Sequence, residues 1–197
     1  MKKGHLFILS GPAGVGKGTL RKILFREVED LEYSVSCTTR KMRAGEAEGR
    51  DYHYISRDEF EGMADRGEFL EWAEVHRNRY GTRKSDVERV LNEGRDIVLE
   101  IDVKGCRKIK ESEPEAIRIF ITAPSLDELE NRLEERGTET SEQMGVRLRN
   151  AAAEMKHAAE YDHVIVNHDV ARASRELVEI IKSYRNAGRQ CDDLQQP

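Results

Sequence analysis

The chain has 197 residues, a formal net charge of −5 and a pI near 5.8, which suits one α/β domain with a substantial core. The acidic balance argues against general binding to nucleic acid or to an anionic membrane surface, so an anionic ligand has to be met by locally gathered cations. Cys37, Cys106 and Cys191 lie far apart and form no CxxC pair, which argues against a disulfide framework or a zinc knuckle and for a reducing, cytoplasmic setting. Only about four apolar residues precede the first glycine-rich loop, too few for a signal peptide or a spanning helix.

The first predicted element is a short buried strand, Leu6-Phe7-Ile8-Leu9, which breaks into Ser10-Gly11-Pro12-Ala13-Gly14-Val15-Gly16-Lys17-Gly18-Thr19. Glycines in such a loop let consecutive backbone N–H groups converge on an anion, and Lys17 adds a mobile cation. Leu20, Ile23, Leu24 and Val28 recur at helical spacing, so the loop feeds a helix whose N-terminus also favours negative charge. This is a phosphate-binding P-loop in its expected context, with Gly11, Pro12, Ala13, Gly14, Val15, Gly16, Lys17, Gly18 and Thr19 as its nucleotide-binding residues. The strict motif asks for Ser or Thr after the lysine, to touch Mg²⁺, and this chain has Gly18 there. No protein ligand to the metal is therefore predicted, and Mg²⁺ is expected to rest on phosphates and water.

Residues 33–39 read as one β-branched strand, 40–46 as a polar loop and 51–55 as a second short strand. Ser56-Arg57-Asp58-Glu59 has the form of a capping box opening a helix that Gly67 closes. Two aromatic-bearing strands follow, 68–75 and 79–82, giving a small antiparallel insert. A second box, Ser85-Asp86-Val87-Glu88, opens a helix ending near Gly94. Residues 96–102 form a buried strand ending in two carboxylates, as where a parallel strand meets a ligand crevice.

The next strand is 117–121, and Ser125-Leu126-Asp127-Glu128 caps an amphipathic helix over 126–136. Residues 137–140 interrupt it, and a polar helix from about 141 to 160, carrying Arg147 and Arg149, looks like the second half of a hinged lid. A last strand at 163–167, a closing helix at 171–185 and a polar, frayed end after Gly188 complete the chain. The prediction is a mostly parallel sheet flanked by helices, with core 1–34, 84–125 and 160–190, an insert at about 35–83 and a lid at about 126–159.

Four groups of residues carry candidate chemistry. Ser36, Arg40, Arg43, Tyr52 and Tyr80 spread two guanidiniums and three hydroxyls over the insert, a set able to grip a monophosphate dianion; the alternative is a solvated charged loop. Glu71 with Thr82 is the second. A carboxylate accepts two hydrogen bonds side by side, which matches the N1–H and N2–H₂ edge of guanine but not adenine, whose N1 is an acceptor, and a threonine hydroxyl can donate to O6. The alternative is an exposed strand carboxylate. Arg136 and Arg147 in the lid can stabilise charge spread over a transferring phosphoryl group, or be ordinary surface arginines. Glu100 and Asp102 can orient water, metal or a nucleotide amino group, or else cap a loop or pair with a cation.

At this point the residues resemble a family. Ser10 to Lys17, Ser34-Val35-Ser36-Cys37-Thr38-Thr39-Arg40 with Arg43-Ala44-Gly45-Glu46, Gly49-Arg50-Asp51-Tyr52, Glu68-Phe69-Leu70-Glu71-Trp72-Ala73, Tyr80-Gly81-Thr82, Leu99 to Gly105 and Arg136-Gly137-Thr138-Glu139-Thr140 look like guanylate kinase, in the right order and over nearly all of the chain to Asn167. The resemblance implies a P-loop kinase with core, nucleotide-monophosphate-binding insert and lid, converting ATP and GMP (and dGMP) into ADP and GDP with Mg²⁺ in purine metabolism. It implies small-molecule partners only and leaves monomer or homodimer open. Carried over by position, Ser36, Arg40, Arg43, Tyr52 and Tyr80 hold the GMP phosphate and Glu71 with Thr82 read guanine. Lys17, Arg136 and Arg147 surround the transferring group, and Arg43 faces both substrates. The chain departs from the pattern at Gly18, known in related kinases, and at Ala13, where the family often has serine.

Two other classes fit parts of the pattern. Kinase-like scaffold modules of similar fold bind phosphorylated peptides, but with a degraded P-loop, whereas Lys17 and the loop glycines are intact here. A related P-loop kinase acting on a ribose phosphate would not need Glu71 with Thr82.

Overall fold

The computed structural model describes residues 3–75, 77–136 and 141–193, with the side chains of 136, 141–143 and 187–193 outside that description. In chain order the elements are β1 (Leu6–Ser10), α1 (Lys17–Glu27), β2 (Leu31–Tyr33), β3 (Cys37–Thr38), β4 (His53–Tyr54), α2 (Arg57–Asp65), β5 (Phe69–Val75), β6 (Asn78–Arg83), α3 (Lys84–Asn92) and β7 (Asp96–Glu100). They continue with α4 (Val103–Ser112), β8 (Ile117–Thr122), α5 (Leu126–Arg136), α6 (Ser141–Met155), a 3₁₀ turn (Ala158–Glu160), β9 (His163–Val166) and α7 (Val170–Asp193). Two compact units result: one comprises the residues up to Leu6 together with Leu31–Ala116, the other Phe7–Asp30 together with the chain from Ile117 onward.

In the second unit, β1, β8 and β9 form a parallel ladder, with Leu9 opposite Ile119 and Ile119 opposite His163. Phe7, Ile8, Leu9, Ile119, Phe120 and Ile121 are fully buried, the continuous apolar run expected of parallel strands covered on both faces. α1 contributes Leu20 and Leu24 to this core and packs on α7, which contributes Ala173, Leu177 and Ile181. Leu129 and Leu133 of α5 are buried as well, and Ser125 Oγ accepts from Glu128 N at 3.1 Å, so the predicted cap is real.

In the first unit, β2 and β7 pair in parallel, and a separate four-stranded sheet has the order β4-β3-β6-β5. The expected antiparallel insert is present, as a mixed sheet. β3–β6 and β5–β6 are antiparallel, but β3–β4 is parallel, because the loop 39–52 carries the chain back to start β4 in the direction of β3. Phe60 of α2 stacks on Phe69 of β5, with centroids 4.4 Å apart, over Cys37 and Met63. Ser56 Oγ caps α2 at Glu59 N.

Four further readings change. The single strand over 33–39 is two strands, since Tyr33 pairs with Val98 in one ladder while Cys37 faces His53 and Gly81 in the other; alternation cannot register a change of ladder. α3 begins at Lys84, not after Ser85, because β6 runs straight into it and Lys84 N bonds to Glu68 O at 2.9 Å. α4, to which no element had been assigned, buries Val103, Cys106 and Ile109 at helical spacing. α7 runs past Gly188 to Asp193 instead of fraying there. Residues 137–140, the predicted lid interruption, lie outside the described residues. Among the described residues no helix is long and apolar enough to cross a membrane.

Candidate active site

The phosphate loop lies wholly in the second unit. Gly16, the N-cap of α1, is left-handed at φ 93°, and a Cβ there would sit 2.6 Å from Asn167 Nδ2; at Gly11 one would sit 2.0 Å from the Ile121 carbonyl oxygen. Only glycine fits both, so the loop's path is set by backbone and by close neighbours. α1 opens with no side-chain cap and no acidic residue in its first turn, which leaves its N-terminal amides suited to an anion. Lys17 Nζ donates to the Gly11 and Pro12 carbonyls at 2.6 and 3.1 Å, lying along the loop it belongs to. Asn167, just beyond β9 and 1% exposed, donates from Nδ2 to the Val15 carbonyl at 2.7 Å. Sequence reasoning had placed Asn167 in a strand and given it no role, since the two residues are joined only by the fold.

Around Gly18 a Cβ would meet nothing within 4 Å, and Thr19 is exposed. Among the described residues no group of three or more His, Cys, Asp or Glu is placed to hold a metal ion. The loop's backbone amides and Lys17 thus suit an anion.

In the first unit, the loop 39–52 is organised by an ion pair. Arg40 donates from Nη1 and Nη2 to the two carboxylate oxygens of Glu46 at 2.9 and 2.8 Å, and both side chains are largely shielded. Glu46 also accepts from Arg43 N and from the Tyr54 hydroxyl, each at 2.8 Å. The Arg40 bond, helped by these two, holds its carboxyl down at about 2, and the same bond drives the Arg40 guanidinium's pKa up. Arg40 lies 5.2 Å from the centre of the Tyr52 ring, which meets Tyr80 edge-on at 5.8 Å. Burial raises the Tyr52 pKa, so its hydroxyl keeps its proton as a donor.

Arg40, Tyr52 and Tyr80 thus lie beside one another. Arg43 is on the same loop with its side chain exposed, and Ser36 is half-buried, its carbonyl accepting from His53 N at 2.9 Å. Glu46, quoted in the sequence only as part of a motif, holds Arg40 and the Arg43 backbone N–H; a carboxylate inside 40–46, beside three cations, was the available signal.

The expected base-reading pair forms a cross-strand couple, Glu71 on β5 opposite Thr82 on β6. Thr82 Oγ1 donates to Glu71 Oε1 at 2.8 Å, and Glu71 is 6% exposed, so an exposed strand carboxylate is excluded. Burial pushes its carboxyl up to about 7, and the nearby Asp102 adds to the rise. A shielded carboxylate oriented by Thr82 suits a ligand presenting N–H donors.

Asp102 caps α4, accepting from Gly105 N at 2.7 Å, which is the structural alternative left open for it, and Glu100 ends β7 half-buried. Arg147, on α6 in the second unit, is half-buried; the Arg136 side chain lies outside the described residues.

A family model described as guanylate kinase matches residues 3–184. The chain is 50% identical over 182 residues to the guanylate kinase of Oceanobacillus iheyensis, covering 92% of this chain and 88% of that one. It is 45% identical over 186 residues to that of Clostridioides difficile, covering 94% and 91%. Among solved structures, guanylate kinase from Anaplasma phagocytophilum superposes with a TM-score of 0.78 at 34% identity, covering 93% of this chain and 87% of that one. Shikimate kinase from Bacteroides thetaiotaomicron, at 14% identity and a TM-score of 0.50 over 90% and 98%, shares the fold.

Proposed function

This chain belongs to the guanylate kinase family, whose members are ATP:GMP phosphotransferases, and we propose that it divides the reaction ATP + GMP → ADP + GDP between two half-sites, one in each unit. Gly11 to Thr19 hold the ATP phosphates through backbone amides, with Lys17 exchanging its carbonyl partners for phosphate oxygens. Ser36, Arg40, Arg43, Tyr52 and Tyr80 hold the GMP phosphate, Arg40 being already oriented by Glu46. Glu71 accepts from guanine N1–H and N2–H₂ with Thr82 as its partner, the Thr82 hydroxyl holding Oε1 in place; Glu100 and Asp102 flank the base. A GMP phosphate oxygen attacks the γ-phosphorus as the bond to the β-phosphate oxygen breaks, and Lys17, Arg43, Arg136 and Arg147 spread the developing charge. Mg²⁺, when bound with ATP, would supply charge neutralisation there, with no residue of this chain assigned to hold it.

The insert is assigned to about 35–83 and the lid to about 126–159, and the setting is cytoplasmic. The observation that carries the reading is the buried Glu71–Thr82 couple. AMP would leave that carboxylate facing an acceptor, a mismatch worth factors of about 10⁴ in discrimination.

The test is ADP release from Mg-ATP against GMP, dGMP, IMP, AMP, CMP and a ribose bisphosphate, with Lys17→Ala as control. Turnover confined to guanine nucleotides, and lost in the control, is expected. Turnover with the sugar phosphate alone, or GMP binding without turnover, overturns it.

A further inference from the structure

Gly105 lies in the first turn of α4, buried, where its N–H is bonded to the capping Asp102 Oδ1. Its φ is ordinary for a helix, so nothing in the backbone asks for glycine. Glycine is moreover a poor helix residue, and alanine in its place would normally stabilise α4. What the position does demand is space. A Cβ at Gly105 would stand 2.5 Å from Glu71 Oε2, 3.1 Å from its Cδ and 3.4 Å from Asp102 Oδ1. The first of these is far inside any tolerated contact, and the group it strikes is the end of a flexible side chain and not a backbone atom. A methyl group there would therefore leave the helix intact and move the carboxylate. Glu71 cannot yield freely, because its Oε1 is held by Thr82 and it is buried on β5.

We propose that Gly105 is a specificity-positioning residue: by omitting a side chain it admits the Glu71 carboxylate to the place from which guanine is read. The proposal rests on the assignment of Glu71 to guanine. The oxygen that Gly105 accommodates, Oε2, is not the one that accepts from the Thr82 hydroxyl, so the two contacts fix the carboxylate from different sides. Tight packing of the α4 first turn against that oxygen also restricts where the carboxylate can point, which turns a mobile glutamate into a fixed acceptor.

The test is Gly105→Ala, with kinetics for GMP and ATP, thermal stability, and a double-mutant cycle with Glu71→Ala. The expected result is a GMP KM raised on the order of tenfold to a hundredfold, as for an ångström-scale displacement of a positioning group. The ATP KM stays unchanged, and the protein stays folded with at most a modest fall in Tm from the crowded contact. In the Glu71→Ala background the same substitution adds no further loss for GMP, because the group it displaces is gone. A folded Gly105→Ala protein with native GMP kinetics overturns the proposal, as does an equal loss in the presence and absence of Glu71. If Glu71→Ala itself leaves GMP kinetics native, it is the assignment of Glu71 that fails, a result separable from the former.

Discussion

The two half-sites are built from different materials. The phosphate loop is a backbone device: its anion-facing groups are amides, its shape depends on left-handed or crowded glycines at 11, 14 and 16, and its neighbours Ile121 and Asn167 press on it directly. The proposed GMP side is a side-chain device, in which Glu46 holds Arg40 and Thr82 holds Glu71. A site of the first kind is broken by adding atoms and is indifferent to the chemistry of outward side chains. The second kind is broken by altering charge while the volume stays constant.

Substitutions in the loop give the largest contrast. Gly16→Ala must place a Cβ 2.6 Å from Asn167 Nδ2 in a left-handed conformation that itself costs about 1–2 kcal/mol. The ATP KM is expected to rise on the order of a hundredfold, whereas GMP binding followed by the fluorescence of Trp72, the chain's single tryptophan, stays native. Ala13, by contrast, is exposed, and Ala13→Ser leaves both unchanged. An ATP site that tolerated Gly16→Ala would break the distinction.

On the other side, Glu46→Gln keeps the volume and removes the charge that fixes Arg40. Loss of a charge-assisted hydrogen bond of about 1.5–3 kcal/mol predicts a GMP KM higher on the order of tenfold, with the ATP KM untouched. Glu46→Asp should recover part of the loss. If GMP and ATP suffer equally, Glu46 acts on the fold and not on the site.

Much of the loop was legible in the sequence because everything it needs is contiguous: strand, glycines, lysine and helix follow one another within β1 and α1. The residues proposed for GMP can be named one by one from the sequence, but not their state. Nothing local to Glu71 says that β6 will cover it, and its burial exists only once Thr82 is opposite. Asn167 reaches Val15 across 152 positions, beyond any periodicity. Asp102 shows the converse, since a carboxylate at a strand end that reads as a ligand is also a helix cap, and overlooking that cap left α4 unassigned. Arg83 ending β6 likewise displaced the predicted start of α3, because the apparent cap at Ser85 lies where no new helix end is needed.

The central claim, that a buried Glu71 carboxylate reads the base, has a signature in pH. A carboxyl raised from 4.5 to about 7 stays protonated in the fold where the unfolded chain has lost its proton. Its contribution to stability is accordingly present below pH 4.5 and lost as pH rises through 7, so Glu71→Gln should be the more stable protein above pH 7. Guanine needs the ionised form, which reverses the sign for binding. The most direct measurement is the GMP dissociation constant from pH 5.5 to 8.5, read from Trp72 fluorescence in the native protein and in Glu71→Gln. The phosphate's own ionisation near pH 6 acts on both alike, so the difference isolates Glu71. The account predicts a native affinity that weakens by up to about tenfold per unit below pH 7, relative to a variant that binds weakly throughout. Equal affinities and parallel pH profiles in the two proteins would contradict it.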